Sequence, residues 1–284
     1  MIRSLIFTSL SAGLLAACGN PATTDPDDTP PPADDTATPP DGDTPPPVND
    51  ADTPPPEDDV LVDANGQVFS YHPAGALIPG SAPEAIVVDT TIYDATIVFP
   101  AEGPVFLNSQ VYMNGGSKAA LNSKNTNQCD TENYSYPWRD NFCEKRGRNQ
   151  YFCAQGGHTG VDIRPATCLK ESHWAVAPES GEIYDIGTYG VRLMADDGTW
   201  YQFLHLQMND LAVIEGQEVV AGQRIGKFSN VFFDNDGNPV PTTIHLHLDM
   251  KESYAPTNGE APFIDRVNPY MTLVAAYERK LAGD

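Results

Sequence analysis

Basic side chains are scarce in this sequence: 16 Lys and Arg stand against 39 Asp and Glu in 284 residues, a formal charge of -23. A chain this acidic is repelled by phosphate backbones and by anionic lipid surfaces, so nucleic acid is excluded as an expected partner. Between residues 19 and 60 there is no Lys or Arg at all, yet 12 of the 39 acids and 13 of the 26 prolines fall there. That stretch has too little apolar content to build a core. The apolar run near the start, Leu5 to Leu15, is too short to cross a bilayer comfortably. No Cys-x-x-Cys spacing occurs among the five cysteines, which ranks a cysteine-built zinc cluster below other uses of the thiols.

What is present divides the chain. Residues 1–18 have the layout of an export signal: Arg3, an apolar run, then small residues. Leu15-Ala16-Ala17-Cys18 resembles a bacterial lipobox, and the resemblance implies cleavage before Cys18 and lipidation of its sulfur; the competing reading is an ordinary cleaved signal with an incidental cysteine. Residues 19–60 form a disordered acidic linker in which Asp-Thr-Pro-Pro-Pro occurs three times, from Asp28, Asp43 and Asp52. Such repeats favour stiff polyproline II, and at ~3.1 Å per residue the linker reaches on the order of 100 Å. The remaining cysteines, Cys129, Cys143, Cys153 and Cys168, are an even number clustered in an exported chain, so disulfides are expected; four cysteines permit three pairings.

From residue 61 the pattern is mostly that of strands. A strand-rich segment is expected over 61–95, and "AIVVDTTIYDATIVF" and "GPVFLNSQVYM" carry the β-branched and aromatic residues of strands. "GEIYDIG", "YGVRLMADDGTWYQFLHL" and "GQEVVAGQRIGKFS" follow, with Asp197-Gly198 reading as a hairpin turn. Only the end reads as helix: Asn268 caps it, Pro269 suits its first turn, and Tyr270, Leu273, Val274, Tyr277 and Leu281 share a face before Gly283. The fold class is therefore mainly β, an antiparallel sheet or sandwich over 96–284 with a C-terminal helix, interrupted by a Cys-rich insertion at 129–153.

In "TTIHLHLDM" side chains alternate along a strand, so His245 and His247 project together while Ile244, Leu246 and Leu248 face the core. Both rings are then close enough to serve one metal, or one to ligate and the other to handle protons; a plain amphipathic strand looks the same. In "GGHTGVDI" the glycines favour a tight turn into a strand, which folds His158 and Asp162 toward one point; Asp162 is alternatively a turn residue or an ion-pair partner of Arg164. Imidazole and carboxylate are sound zinc ligands, and three protein ligands plus water is the usual catalytic arrangement. His205 in "WYQFLHLQ" is expected on the strand face of Tyr201 and Phe203.

The order of these motifs, His-x-x-x-Asp after a glycine pair, a strand ending in His-Leu, "EGQEVVAGQRIG" and then His-Leu-His-Leu, resembles the LytM/lysostaphin-type zinc metallopeptidases that cut peptidoglycan peptides, over residues 96–250. The resemblance implies one zinc ion held by His158, Asp162 and His247, with His205 and His245 as catalytic histidines. It implies hydrolysis of peptidoglycan peptides, with a monomer expected; the lipobox resemblance, with Gly19 rather than Asp after Cys18, implies in addition an outer-membrane lipoprotein of the cell envelope whose only membrane contact is its N-terminal lipid. A wall-binding module that hydrolyses nothing, and a peptidase acting on an exported protein, are the competing functions. The chain departs from the family pattern in Phe203, where a tyrosine is common, and in the long loop "KFSNVFFDNDGNPVP", whose Asp234, Asp236 and Asn238 fit a plain turn better than a calcium loop. Tyr134, Tyr136 and Trp138 of the insertion either grip substrate or fill a small core of their own.

Overall fold

The computed structural model describes residues 60–78, 81–82, 86, 88–109, 128–129, 131–146, 152–153, 157–233, 237–240, 242–254 and 263–284. These fall within one unit, Pro55–Asp284. The export signal, Cys18, the acidic linker up to residue 59, and Asp234 and Asp236 lie outside the described residues.

Among the described residues, ten strands, one 3-10 turn at Thr131–Tyr134 and one α-helix follow in chain order: β1 Val105–Leu107, β2 Val161–Pro165, β3 Trp174–Val176, β4 Gly181–Ile186, β5 Gly190–Ala195, β6 Trp200–Leu204, β7 Gln217–Val219, β8 Arg224–Lys227, β9 Leu246–Tyr254, β10 Phe263–Val267 and α1 Tyr270–Ala282. Eight form an antiparallel sheet in the order β1-β2-β9-β6-β5-β4-β7, with β10 also on β9, while β3 and β8 pair as a small second sheet. The class is mainly β with a C-terminal helix. β9 is the hub: β6 takes one edge, and β2 and β10 take successive lengths of the other.

Alternation along β9 separates core from site. Leu246, Leu248 and Met250 are buried, opposite Ile163 and Val161 of β2 and Phe203 and Tyr201 of β6. On the other face His247 lies in register with Asp162 on one side and Leu204 on the other. Glycine is required at the mouth of β2, because a Cβ on Gly160 would stand 2.1 Å from the Leu248 carbonyl oxygen. The β5–β6 turn forms as the sequence predicts: Gly198 takes a left-handed φ of 99°, and the Asp197 carboxylate accepts the Thr199 N–H at 2.8 Å. The α1 face also matches, with Tyr270, Leu273, Val274 and Tyr277 buried and Leu281 packed against them, and Gly283 closing the helix at φ 87°.

Two expectations fail. "AIVVDTTIYDATIVF" forms no ladder over its described residues, although Ile97 and Phe99 are buried. Asp89 and Asp94 each accept the backbone N–H two residues on, Thr91 at 3.0 Å and Thr96 at 2.5 Å, and these local bonds replace strand pairing. Across the described part of 61–95 the pairing is limited to isolated bridges, Val62 with Val68 and Tyr71 with Trp138. Trp138 of the insertion is core: its ring lies 4.3 Å from Tyr277, 4.9 Å from Phe69 and 5.8 Å from Phe99.

The four cysteines pair as Cys129–Cys168 and Cys143–Cys153, closing loops of 39 and 10 residues. Chain entropy makes the longer closure worth more. Replacing both cysteines of a pair by alanine is expected to cost about 4 kcal/mol for Cys129–Cys168 and about 3 kcal/mol for Cys143–Cys153. Urea unfolding midpoints in the opposite order would show that native-state contacts, not loop closure, set the difference.

Candidate metal centre

His158 sits just ahead of β2, and the insertion holds its backbone on both sides: the His158 N–H donates to the Glu144 carbonyl at 3.1 Å, and its own carbonyl accepts from Cys143 N–H at 3.0 Å. From there Nε2 reaches Asp162 Oδ1 at 3.0 Å and His247 Nδ1 at 3.0 Å, and His247 Nδ1 lies 3.1 Å from the same Asp162 oxygen. Two nearby residues at the start of β2 and one from the distant β9 thus bring one atom each to a single point, with all three residues buried. Among the described residues a second convergent group, Asp94, Glu179 and Asp197, is all carboxylate and more open to solvent, and no histidine joins it.

The hydrogen bonds behind these atoms fix which nitrogens carry protons. His158 Nδ1 faces the Asn141 carbonyl at 2.5 Å, so it must donate, and Nε2 is left with its lone pair toward the cluster. His247 Nε2 faces Asp249 Oδ1 at 3.3 Å and Thr159 Oγ1 at 3.4 Å, which turns Nδ1 toward the cluster. Without metal, His247 relieves the crowding by keeping a proton toward Asp162; once that proton leaves, two lone pairs and a carboxylate oxygen about 3 Å apart repel one another unless a cation lies among them. This donor set, each imidazole oriented by a carbonyl or carboxylate on its far nitrogen, fits a divalent metal such as zinc. Asn141 contributes twice, since its side-chain oxygen also accepts the Asp162 N–H at 3.0 Å. Arg146 spans Glu144 at 3.2 Å and Asp162 at 3.7 Å, supplying positive charge behind the carboxylate.

His245 precedes β9 in an isolated bridge to Ser229, and its ring is fully buried. Nδ1 donates to the Thr243 carbonyl at 2.8 Å, while Nε2 lies 3.4 Å from Asp162 Oδ1 and makes no hydrogen bond. An unpaired buried nitrogen costs about 1–3 kcal/mol, and its position beside the cluster gives that cost a purpose. His205 corrects the sequence reading. It stands one residue beyond β6 with a left-handed φ of 65°, which breaks the alternation that would have sent its ring to the Tyr201 and Phe203 side. The ring instead lies 4.6 Å from that of His245 and 6.2 Å from that of His247, with Nδ1 donating to the Val231 carbonyl at 2.7 Å and Tyr189 stacked alongside at 6.3 Å. Asp162 is not the partner of Arg164, which donates to Thr243 Oγ1 and the Gln128 carbonyl.

Burial, helped by neighbouring charges, sets the titration. It presses His158 down to about 4 and His205 to about 4, and holds His245 well below the usual histidine range. His247 goes the other way: burial opposes its charge, but Asp249 and Asp162 outweigh it and raise the ring to about 9. The first three bind protons more readily when unfolded, so the metal-free protein loses stability as pH falls from about 6.5 toward 4. His247 contributes stability that is fully present below pH 6.5 and lost as pH rises through 9. A stability maximum near pH 6.5 is expected in chelator-treated protein; denaturant midpoints that rise steadily from pH 6 to 9 contradict this.

All five predicted histidine and aspartate positions therefore meet at one place. Sequence reasoning missed Asn141, Thr159, Val231, Tyr189 and Asp249. For Asp249 a signal existed, since it continues the outward face of His245 and His247 in "HLHLD"; Asn141 lies in the insertion, where no periodicity marks it.

The class so defined is a mainly antiparallel β domain with a buried two-histidine, one-aspartate cluster. No protein-family model and no curated protein matches the chain. Among solved structures it is similar to one described as the glycyl-glycine endopeptidase LytM of Ruminococcus gnavus, at 24% identity over 43% of this chain and 47% of that one, TM-score 0.35. It is similar also to the catalytic domain of lysostaphin from Staphylococcus simulans, at 22% over 50% and 94%, TM-score 0.35, and to a peptidase M23 from Pseudomonas aeruginosa, at 17% over 68% and 54%, TM-score 0.34. The chain matches about half the length of the first of these. The chemistry of the site rests on its own geometry.

Proposed function

We propose that the protein is a zinc-dependent endopeptidase that hydrolyses peptide cross-links of bacterial peptidoglycan. The observation that supports this most is the meeting of His158 Nε2, Asp162 Oδ1 and His247 Nδ1 beside two further buried imidazoles. His158, Asp162 and His247 would hold the zinc ion, which would supply Lewis-acid polarisation of a carbonyl and lower the pKa of a bound water toward neutrality. The remaining steps belong to the chain. His205 and His245, both neutral at pH 7 and both with Nδ1 tied to a backbone carbonyl, present Nε2 as a proton acceptor. Once protonated, such a ring can return the proton to the leaving amine or donate to the oxyanion of the tetrahedral intermediate. The motif order carried by His158, Asp162, His205, His245 and His247 supports a peptidoglycan substrate over other peptides.

The same reading places the domain in the cell envelope, tethered through the acidic linker to a lipidated Cys18 in the outer membrane. No helix among the described residues is long and apolar enough to cross a membrane. The test is direct: purified protein with and without added zinc is incubated with isolated cross-linked peptidoglycan, and the released fragments are identified by mass. Zinc-dependent loss of cross-linked dimers is expected. Dimers that persist beside full zinc occupancy would leave a wall-binding module as the better account.

A further inference from the structure

The sheet face that carries His247 continues beyond it. Along β9 the same side presents Asp249 and Lys251; the register sets Trp200 of β6 and Arg266 of β10 beside Lys251, and Arg192 of β5 beside Gln202, which in turn pairs with Asp249. Across β5 and β6 this face is only half covered at Arg192, Met194, Gln202 and Leu204, whereas Val191, Leu193, Tyr201 and Phe203 behind it are fully buried. This half-covered sheet face is a floor that leads away from the metal cluster.

Three cations on this floor are notable in a chain with 16 bases and 39 acids. Arg192 is matched by Asp185 at 2.6 Å. Arg266 reaches Asp249 at 3.4 Å, but Asp249 is shared with His247. Lys251 has no carboxylate within ion-pair distance among the described residues; its ammonium lies 4.1 Å from the Trp200 ring, with the Arg266 guanidinium 6.0 Å from the same ring. Burial first, and then the nearby Arg266, lower the Lys251 pKa against the opposing pull of Asp249 and Asp265. Lys251 is thus a positive charge without a direct carboxylate partner among the described residues, set beside an Arg266 whose own partner Asp249 is shared, and an incoming carboxylate relieves that crowding.

We propose that Lys251 and Arg266, with Arg192 adding to the field, form a subsite for a free carboxylate of the peptide substrate. Lys251 lies four residues along β9 from His247, about 13 Å at ~3.3 Å per residue, so the recognised carboxylate belongs about four residues from the bond that is cut. The substrate class is thus an extended acidic peptide, and neutral glycine-rich peptides are disfavoured. This inference rests on the peptidase reading above.

The experiment compares one cross-linked muropeptide with its carboxylates free or converted to amides, using zinc-loaded full-length protein. The free form is expected to be preferred about tenfold in kcat/KM, through KM, with the preference shrinking at high salt. Lys251→Met keeps the alkyl stem over Trp200 and should bring the ratio toward one, while Lys251→Arg should restore it. An unchanged ratio in Lys251→Met, or no preference in the parent protein, overturns the subsite and leaves Lys251 as a cover for Trp200. Cleavage of neither form refutes the peptidase reading instead. In that event calorimetric binding of the same two peptides to the zinc-loaded protein still decides the subsite, equal affinities overturning it.

Discussion

His247→Ala is expected to abolish stoichiometric zinc binding and to lower peptide hydrolysis at least about a thousandfold, since Lewis-acid stabilisation is worth several kcal/mol and each 1.4 kcal/mol is a factor of ten. The loss exceeds that of one contact. His247 supplies Nδ1 to the cluster and, through Nε2, takes up the negative charge of Asp249, which is itself buried and is also reached by Arg266 and the Thr159 hydroxyl. Removing the ring leaves that carboxylate without its closer partner and leaves Asp162 and His158 too few to close a tetrahedral set. Asp249→Asn separates the two contributions, because it keeps the imidazole but weakens its orientation; about 10- to 100-fold weaker metal affinity is expected, with hydrolysis recovered at saturating zinc. The measurements are metal content after dialysis and hydrolysis across a zinc titration. A His247→Ala protein that retains one tightly bound zinc per chain removes the ligand assignment.

Much of this was legible in the residues themselves, and the exceptions share a cause. The β9 alternation, the Asp197-Gly198 turn and the α1 face depend on local periodicity and on single φ preferences, which a sequence displays directly. The pairing of His158 with Asp162 was visible for the same reason, since only four residues separate them. Where local chemistry competes with periodicity the reading failed. In "AIVVDTTIYDATIVF" the β-branched residues argue for a strand, but Asp89 and Asp94 capture the backbone donors first. At His205 a left-handed backbone reverses the side expected from alternation, and nothing in "WYQFLHLQ" announces it. Asn141 and Val231 act through backbone or side-chain carbonyls that reach the site only after long-range closure, so no motif could contain them.

The second large effect falls on the two histidines that stand beside the cluster without joining it. His245→Ala and His205→Ala are each expected to retain full zinc content while lowering kcat by about 10²–10⁴, the range for loss of a positioned proton-transfer group. Geometry is the reason for expecting metal to stay: the far nitrogens of His245 and His205 are committed to the Thr243 and Val231 carbonyls, and neither ring is among the three that converge. Geometry also ranks the variants. His245 Nε2 has no hydrogen-bond partner and lies 3.4 Å from Asp162 Oδ1, whereas His205 stands farther out, behind the His245 ring and against Tyr189. The larger kcat loss is therefore expected for His245→Ala, and a change in the acid limb of the pH–rate profile should accompany either substitution. Zinc lost from the His245→Ala protein would make His245 a ligand, and an unchanged kcat in both variants would leave proton transfer to solvent alone.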